Sequence, residues 1–331
     1  MSEKLMMYGA SLKGFRATLA ETLAELGREH ENLVVVDAET GTATNAIGFK
    51  EHFPDRYVTC GIAEQAAISF AFALSRCGKI PVVPLFSCFL ARRACDQVYI
   101  QVGYADANVK LIGCYSGMTT PNTGATHQSI NDVAIMRSVP GMRVIETADP
   151  YEFRQALREI VKCRGPVFLR SVRGDLPEYD GRVVPEGHRF QLDKSSVLRE
   201  GKDLSLMASG IMVPRALEAA REFEARGVSV EVVNVTAIKP LDGDTILKSA
   251  RKTRRVVCAE NGSVVGGMGS AIAEFLSQHE PTPIRFVGVR DCYGWSGALK
   301  DLFEMYGLTT REIIRASESL LESPPRPYAG E

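Results

Sequence analysis

A chain of 331 residues, 45% hydrophobic and 24% charged, carries enough apolar material for about two globular domains. With 39 Lys and Arg against 40 Asp and Glu the formal net charge is −1, so no charge field draws it to nucleic acid or to a membrane surface. No apolar run approaches the ~20 residues of a membrane span, and Met1 to Phe15 lacks the apolar core of a secretory signal, so a cytoplasmic protein is expected.

In chain order, Leu12 to Gly27 has apolar residues at helical spacing and ends on Gly, which predicts an amphipathic helix. Leu33 to Val36 reads as a buried strand ending at Asp37, followed by a polar loop, Glu39 to Asn45. Ligands lie beyond the carboxyl ends of parallel strands, so this loop is a candidate site. From Phe53 to Ala67 the chain reads as a short strand (Tyr57 to Cys60), a turn at Gly61 and the start of a helix running to Arg76. Glu64 falls in the first turn of that helix, a carboxyl carried into an apolar wall. It must hold its proton or find a partner; the plainer reading is an acid favoured by the helix dipole.

A strand Ile80 to Phe86, a helix from about Leu90 to Val102 and a strand Val109 to Cys114 follow. The stretch Ser116 to Gln128, rich in Gly, Thr and Pro, is too long for a plain turn and reads as functional. A helix over Asn131 to Ser138, a strand Arg143 to Glu146, a helix Pro150 to Lys162 and a strand Pro166 to Arg170 complete an α/β domain with a doubly wound, mostly parallel sheet. Leu176 to Leu198 breaks the pattern with Pro, Gly and charges, and reads as the linker. A second doubly wound α/β unit follows, with strands Leu204 to Ala208, Val228 to Val235, Val256 to Ala259 and Ile284 to Val289. Its helices are expected over Val213 to Arg226, Asp244 to Arg251, Gly266 to Ser277 and at two places near the C-terminus, with Glu318 to Glu331 as a trailing tail. The domains are thus 1–178 and 198–331, joined by 179–197.

Eight Cys, at 60, 77, 88, 95, 114, 163, 258 and 292, form no CxxC pair and read as buried thiols of a reducing cytosol; the five His show no metal-ligand spacing. Gly266-Gly267-Met268-Gly269 invites a dinucleotide reading but has Ile272 where the third Gly should stand, so close helix packing explains these glycines better. No P-loop and no GxSxG elbow is present.

The motifs that remain form an ordered set. They are Phe53-Pro54-Asp55-Arg56 with Gly61-Ile62-Ala63-Glu64-Gln65, then Phe86 and Phe89 ahead of Asp96-Gln97, then Thr126-His127-Gln128 with Asn131-Asp132 and Arg137-Ser138-Val139-Pro140. Arg170-Ser171-Val172-Arg173, Lys239-Pro240-Leu241-Asp242, Glu260-Asn261-Gly262 with the Gly266 cluster, and Asp291 to Gly297 complete it. In this order, over roughly residues 12 to 317, the chain resembles the C-terminal half of a transketolase: a thiamine-diphosphate pyrimidine-binding domain followed by the transketolase C-terminal domain. Deoxyxylulose-phosphate synthases and the β chains of 2-oxo-acid dehydrogenases share parts of the set.

The resemblance implies that Glu64 hydrogen-bonds N1′ of the aminopyrimidine of thiamine diphosphate. A carboxyl in a low-dielectric wall strengthens that bond, which favours the tautomer that deprotonates the thiazolium C2; the cofactor then serves as electron sink. It also implies that Phe86 and Phe89 pack on the aminopyrimidine, with Ile62 beside it, where sequence alone would read ordinary core. An aromatic face against that ring contributes ~1 kcal/mol beyond area. Arg173 and, second, Arg16 correspond to the family's substrate-phosphate arginines, suited to bidentate contact, against the common reading of surface ion pairs. His127 corresponds to a substrate-facing, catalytic histidine. Many transketolases carry an Asp four residues before this His and another His twelve before; here Thr123 and Tyr115 stand there. Such a change alters sugar recognition, so a branched or modified sugar phosphate is expected.

The family's diphosphate domain, which holds the magnesium ion, has no counterpart in these motifs, and Leu241-Asp242-Gly243-Asp244 does not supply it. The chain is therefore expected to carry half a cofactor site, with no metal ligand of its own. An N-terminal transketolase subunit would supply the diphosphate and Mg2+ half, in an assembly built on a homodimer core or an α2β2 heterotetramer. The expected activity is transfer of a two-carbon ketol unit between sugar phosphates. The alternatives are the pyrimidine subunit of another thiamine enzyme, or a non-catalytic binding subunit.

Overall fold

The computed structural model describes residues 14–173 and 182–322. Two mostly parallel sheets, each flanked by helices, carry the chain. The strands are β1 (Leu33–Asp37), β2 (Tyr57–Thr59), β3 (Ile80–Phe86), β4 (Lys110–Cys114), β5 (Arg143–Glu146), β6 (Val167–Ser171), β7 (Ser196–Arg199), β8 (Leu204–Ala208), β9 (Val230–Asn234), β10 (Ala237–Lys239), β11 (Val256–Ser263) and β12 (Ile284–Val289). The first sheet has the order β10-β5-β6-β4-β3-β1-β2 and the second β12-β11-β8-β9-β7. Among the described residues only β10 and β7, each at a sheet edge, run antiparallel to their neighbours. Strands β1, β4 and β6 are buried along their whole length, as a sheet covered on both faces requires. The α/β class and two-sheet architecture expected from the sequence are those observed.

The strand β10 was not expected. It follows β9 of the second sheet by three residues, yet pairs with β5 of the first, matching Ala237 to Ile145 and Lys239 to Val144. The C-terminal half thus completes the first sheet, and the two units share a continuous backbone ladder. Strand β7 falls in the stretch expected as linker and covers the edge of β9. Of the remaining linker, residues 176–181 lie outside the described residues, as do Leu12, Lys13 and the tail beyond 322.

Other boundaries shift for identifiable reasons. The first helix runs Phe15–Glu29, through Gly27 rather than ending on it. A side chain at Gly27 would meet the rings of Phe49 and Phe53, so packing rather than capping explains this glycine. The loop expected at 39–45 holds a short helix, Gly41–Thr44. The helix expected over 90–102 is two wider-wound π segments, Phe89–Arg93 and Val98–Tyr104, around a short turn of α-helix. The glycine cluster opens the helix Met268–His279 by close packing, as expected: a side chain at Gly269 would strike Phe286 and Cys258. The cysteines are free, but only Cys88, Cys114 and Cys258 are buried; Cys77 and Cys292 are exposed, which corrects the expectation of uniformly buried thiols.

Candidate active site

The first sheet reverses its winding at β1, which has β2 on one side and β3 on the other. A crevice at the carboxyl ends of the strands is the consequence. Glu64 follows β2, Phe86 ends β3, Tyr115 and His127 follow β4, and Arg173 follows β6. Arg16 lies in the first turn of the helix Phe15–Glu29, which runs back against the strands, and donates from Nη2 to the carbonyl of Thr42 at 3.2 Å. The fold therefore brings to one edge residues scattered over more than 150 positions of sequence.

Glu64 opens the helix Glu64–Arg76. Gly61, at φ +70°, turns the chain into that helix through the left-handed region that favours glycine. Glu64 is 1% exposed. The partner that a buried acid requires is Arg93, a residue the sequence reading passed over: its Nη1 donates to both carboxylate oxygens, at 2.8 and 2.9 Å. Its guanidinium also lies over the ring of Phe89, Cζ 4.0 Å from the centroid. The available signal was spacing, because an Arg four residues after Phe89 on a helical segment shares its face.

Phe89, Phe86, Tyr115 and His127 form one aromatic cluster. His127 meets Phe89 edge-on at 5.2 Å and Phe86 at 6.0 Å, and Phe86 meets Tyr115 at 4.9 Å. Nδ1 of His127 pairs with the hydroxyl of Thr126 at 2.8 Å. Tyr115 is buried, sits at φ +63° and donates from its hydroxyl to the carbonyl of Ala43. Arg173 is half-buried, its Cζ 5.4 Å over the Tyr115 ring. Thr123 is exposed and bonds only locally, to the carbonyl of Thr120. Ile62 is 78% exposed, so within this chain it lines no closed pocket.

The 116–128 loop is braced by the second unit. Gln128 Nε2 donates to the carbonyl of Trp295 at 3.0 Å, Gly297 N to Pro121 O at 3.1 Å, and Met118 N to Asn261 Oδ1 at 3.0 Å. Beneath it lies a sealed polar network. Arg170 pairs with Asp132 through two bonds of 3.0 Å, with Glu146 at 2.6 Å and with the Asn261 carbonyl at 3.0 Å. Ser87 and Ser209 donate to the same carboxylates. Beside it, burial pushes the Glu260 carboxyl up to about 7 although the amides of Met268 and Gly269 donate to it. Burial, and then the charge of Asp37, raises the Tyr57 hydroxyl as well.

The donor set fits an aminopyrimidine. A flat ring presenting a nitrogen to Glu64 and a face to Phe89 would make the contacts that the planar Arg93 guanidinium makes here. Among the described residues no group of three or more His, Cys, Asp or Glu is arranged to hold a metal ion.

Two family models match the chain: the transketolase pyrimidine binding domain over residues 13–178 and the transketolase C-terminal domain over 193–313. The 6-deoxy-6-sulfo-D-fructose transketolase subunit SqwH of Clostridium sp. (strain MSTE9) is 43% identical over 93% of this chain and 94% of its own length. A subunit of the apulose-4-phosphate transketolase of Phocaeicola vulgatus is 31% identical over 91% of this chain and 96% of its own length. A solved structure described as a split gene transketolase, inactive beta4 tetramer, superposes with a TM-score of 0.86 at 38% identity, covering 95% of this chain and 99% of that one.

Proposed function

Because this chain belongs to the transketolase family, we propose that it is the pyrimidine-binding subunit of a two-chain transketolase, which moves a two-carbon ketol unit between sugars. The observation that carries the reading is Glu64: a carboxylate with a 2% exposed side chain whose one ionic partner among the described residues is a half-exposed arginine, at the rim of an aromatic cluster. Thiamine diphosphate, when bound, supplies the electron sink for this chemistry. Glu64 would share one proton with the aminopyrimidine ring nitrogen, donating it as the acid and accepting from the N–H once the proton has crossed. Phe86 and Phe89 bear on the ring face and exclude water. His127 donates or accepts at the sugar through Nε2, its Nδ1 being engaged by Thr126. Arg173 and Arg16 hold the anionic end of the substrate.

The magnesium and diphosphate half of the site is assigned to a partner subunit. The surface beside Glu64 suits one: Ile62, Phe70, Ile100 and Tyr104 are 78%, 44%, 49% and 85% exposed, on the helix Glu64–Arg76, its entry turn and the segment packed against it. Large exposed apolar side chains grouped in this way mark interaction surfaces. The relatives named for 6-deoxy-6-sulfo-D-fructose and for apulose 4-phosphate support a modified donor, in keeping with Tyr115 and Thr123 at the sugar contacts.

The test is reconstitution with a diphosphate-domain subunit, thiamine diphosphate and Mg2+, assaying ordinary, branched and 6-sulfo ketoses as donors. Ketol transfer that survives Glu64→Gln undiminished would sink the catalytic assignment.

A further inference from the structure

The contacts of Arg93 have a consequence for cofactor entry. Its guanidinium is flat, donates through one nitrogen to both oxygens of Glu64, and lies 4.0 Å over the Phe89 ring. These are the two positions, one in the ring plane at Glu64 and one stacked on Phe89, that the proposed aminopyrimidine would occupy. The carboxylate and the ring cannot serve two flat groups at once.

The asymmetry of burial says which group yields. The Glu64 side chain is 2% exposed and that of Arg93 42%. Glu64 is anchored in the first turn of a helix and is almost wholly buried. Arg93 ends a short π segment, closed by the Ala94 amide on the Phe89 carbonyl at 3.0 Å, and can swing its guanidinium outward without unwinding it. π segments of this kind recur at functional sites because they re-aim side chains; here the segment aims Phe89 and Arg93 at one point.

We propose that Arg93 is the seat-holder of the aminopyrimidine. In the free subunit it fixes the Glu64 carboxylate in its binding orientation and covers the Phe89 face, and the arriving cofactor displaces it. The inference rests on the reading that Glu64 and Phe89 receive the cofactor. The population with Arg93 turned out is the binding-competent one, so apparent affinity is reduced by its fraction. A part-exposed ion pair and a cation–π contact together hold that fraction down roughly three- to thirty-fold.

The experiment is titration of thiamine diphosphate into the reconstituted two-subunit complex with Mg2+. Binding is followed by calorimetry and by the near-ultraviolet circular dichroism of the aminopyrimidine. Wild type, Arg93→Ala, Arg93→Gln and Arg93→Ala with Glu64→Gln are compared, with melting of each free chain as the check on folding. Both Arg93 variants are expected to bind roughly three- to thirty-fold more tightly than wild type, and Glu64→Gln placed on Arg93→Ala, where no ion pair remains to be lost, to bind more weakly than Arg93→Ala. A residue with a merely structural role would never tighten binding when removed. Unchanged or weaker binding by the Arg93 variants overturns the seat-holder. So does a loaded complex in which Arg93 remains within 4.0 Å of Glu64, the present ion-pair distance being 2.8 Å. Equal affinity of Arg93→Ala with and without Glu64→Gln overturns the reading beneath it, and the seat-holder with it.

Discussion

Arg170 and Asp132 face each other as a two-point ion pair in the sealed interior, Nε to Oδ2 and Nη2 to Oδ1 both at 3.0 Å, with side chains 1% and 0% exposed. The same guanidinium reaches Glu146 and the Asn261 carbonyl, so one side chain ties β6, the helix Asp132–Ser138, β5 and the second unit's β11 together. Its burial would oppose its charge, yet the two carboxylates hold it firmly protonated. Removing the guanidinium leaves two carboxylates uncompensated in a dry site, whereas removing Asp132 leaves Arg170 still paired with Glu146. Arg170→Met is therefore expected to cost about 3–5 kcal/mol, Asp132→Asn less, and the pair together less than the sum of the two. Urea unfolding of the three variants measures this; additive effects would contradict a shared network.

Both residues stood out in the sequence as parts of the ordered motif set, without a role. Their partnership was illegible because it joins positions 38 apart and reaches a third element 91 away. The strands, by contrast, announced themselves through β-branched runs such as Val34-Val35-Val36, since burial on both faces writes itself into composition. Strand β10 did not: three residues, Ala-Ile-Lys, carry no periodicity, and its pairing is decided by β5, which is remote in sequence. Glu64 was legible as an acid needing a partner. Arg93 as that partner was not, because the two stand 29 positions apart and meet only through the packing of their two segments.

Glu260 predicts a pH dependence. Burial raises its carboxyl to about 7 from an ordinary 4.5, so the folded chain holds a proton that the unfolded chain releases. The native state binds more protons between those values, and this group's contribution to stability falls as pH rises through the window. The loss is up to about 3 kcal/mol. Glu260→Gln cannot titrate. Its stability relative to wild type is expected to climb between pH 5 and pH 8, read from denaturation midpoints across that range. A difference that stays flat with pH would remove Glu260 as the source.

Arg173 lies beside Tyr115 and is proposed to hold the substrate's anionic end. A charge-assisted hydrogen bond contributes about 1.5–3 kcal/mol. Arg173→Met should therefore lower kcat/KM by roughly ten- to a hundredfold, chiefly through KM, and leave cofactor affinity unchanged. Steady-state kinetics with saturating thiamine diphosphate decide this, and a loss confined to kcat would assign Arg173 to the chemistry instead.

Donor choice should turn on Tyr115 and Thr123. Tyr115 fills the space between Phe86 and the Ala43 carbonyl, and its hydroxyl is spent on that backbone oxygen. It can offer a sugar hydroxyl little. Thr123, exposed at the loop, presents a hydroxyl and no charge. A site built to hydrogen-bond a hydroxyl discriminates strongly against sugars that lack it, because its own polar groups are then left unpaired. The Tyr115 hydroxyl is engaged by the Ala43 carbonyl and the Thr123 hydroxyl by the Thr120 carbonyl, so neither is left unpaired by a sugar that lacks a hydroxyl there. Tyr115→His is tolerable in the backbone, because His is among the residues that accept positive φ, here +63°. The double substitution Tyr115→His with Thr123→Asp should raise kcat/KM for an ordinary ketose phosphate by about tenfold or more relative to a branched or 6-sulfo ketose. Competition between the two donors in one reaction reads the ratio directly. An unchanged ratio would place donor choice with the partner subunit rather than with this loop.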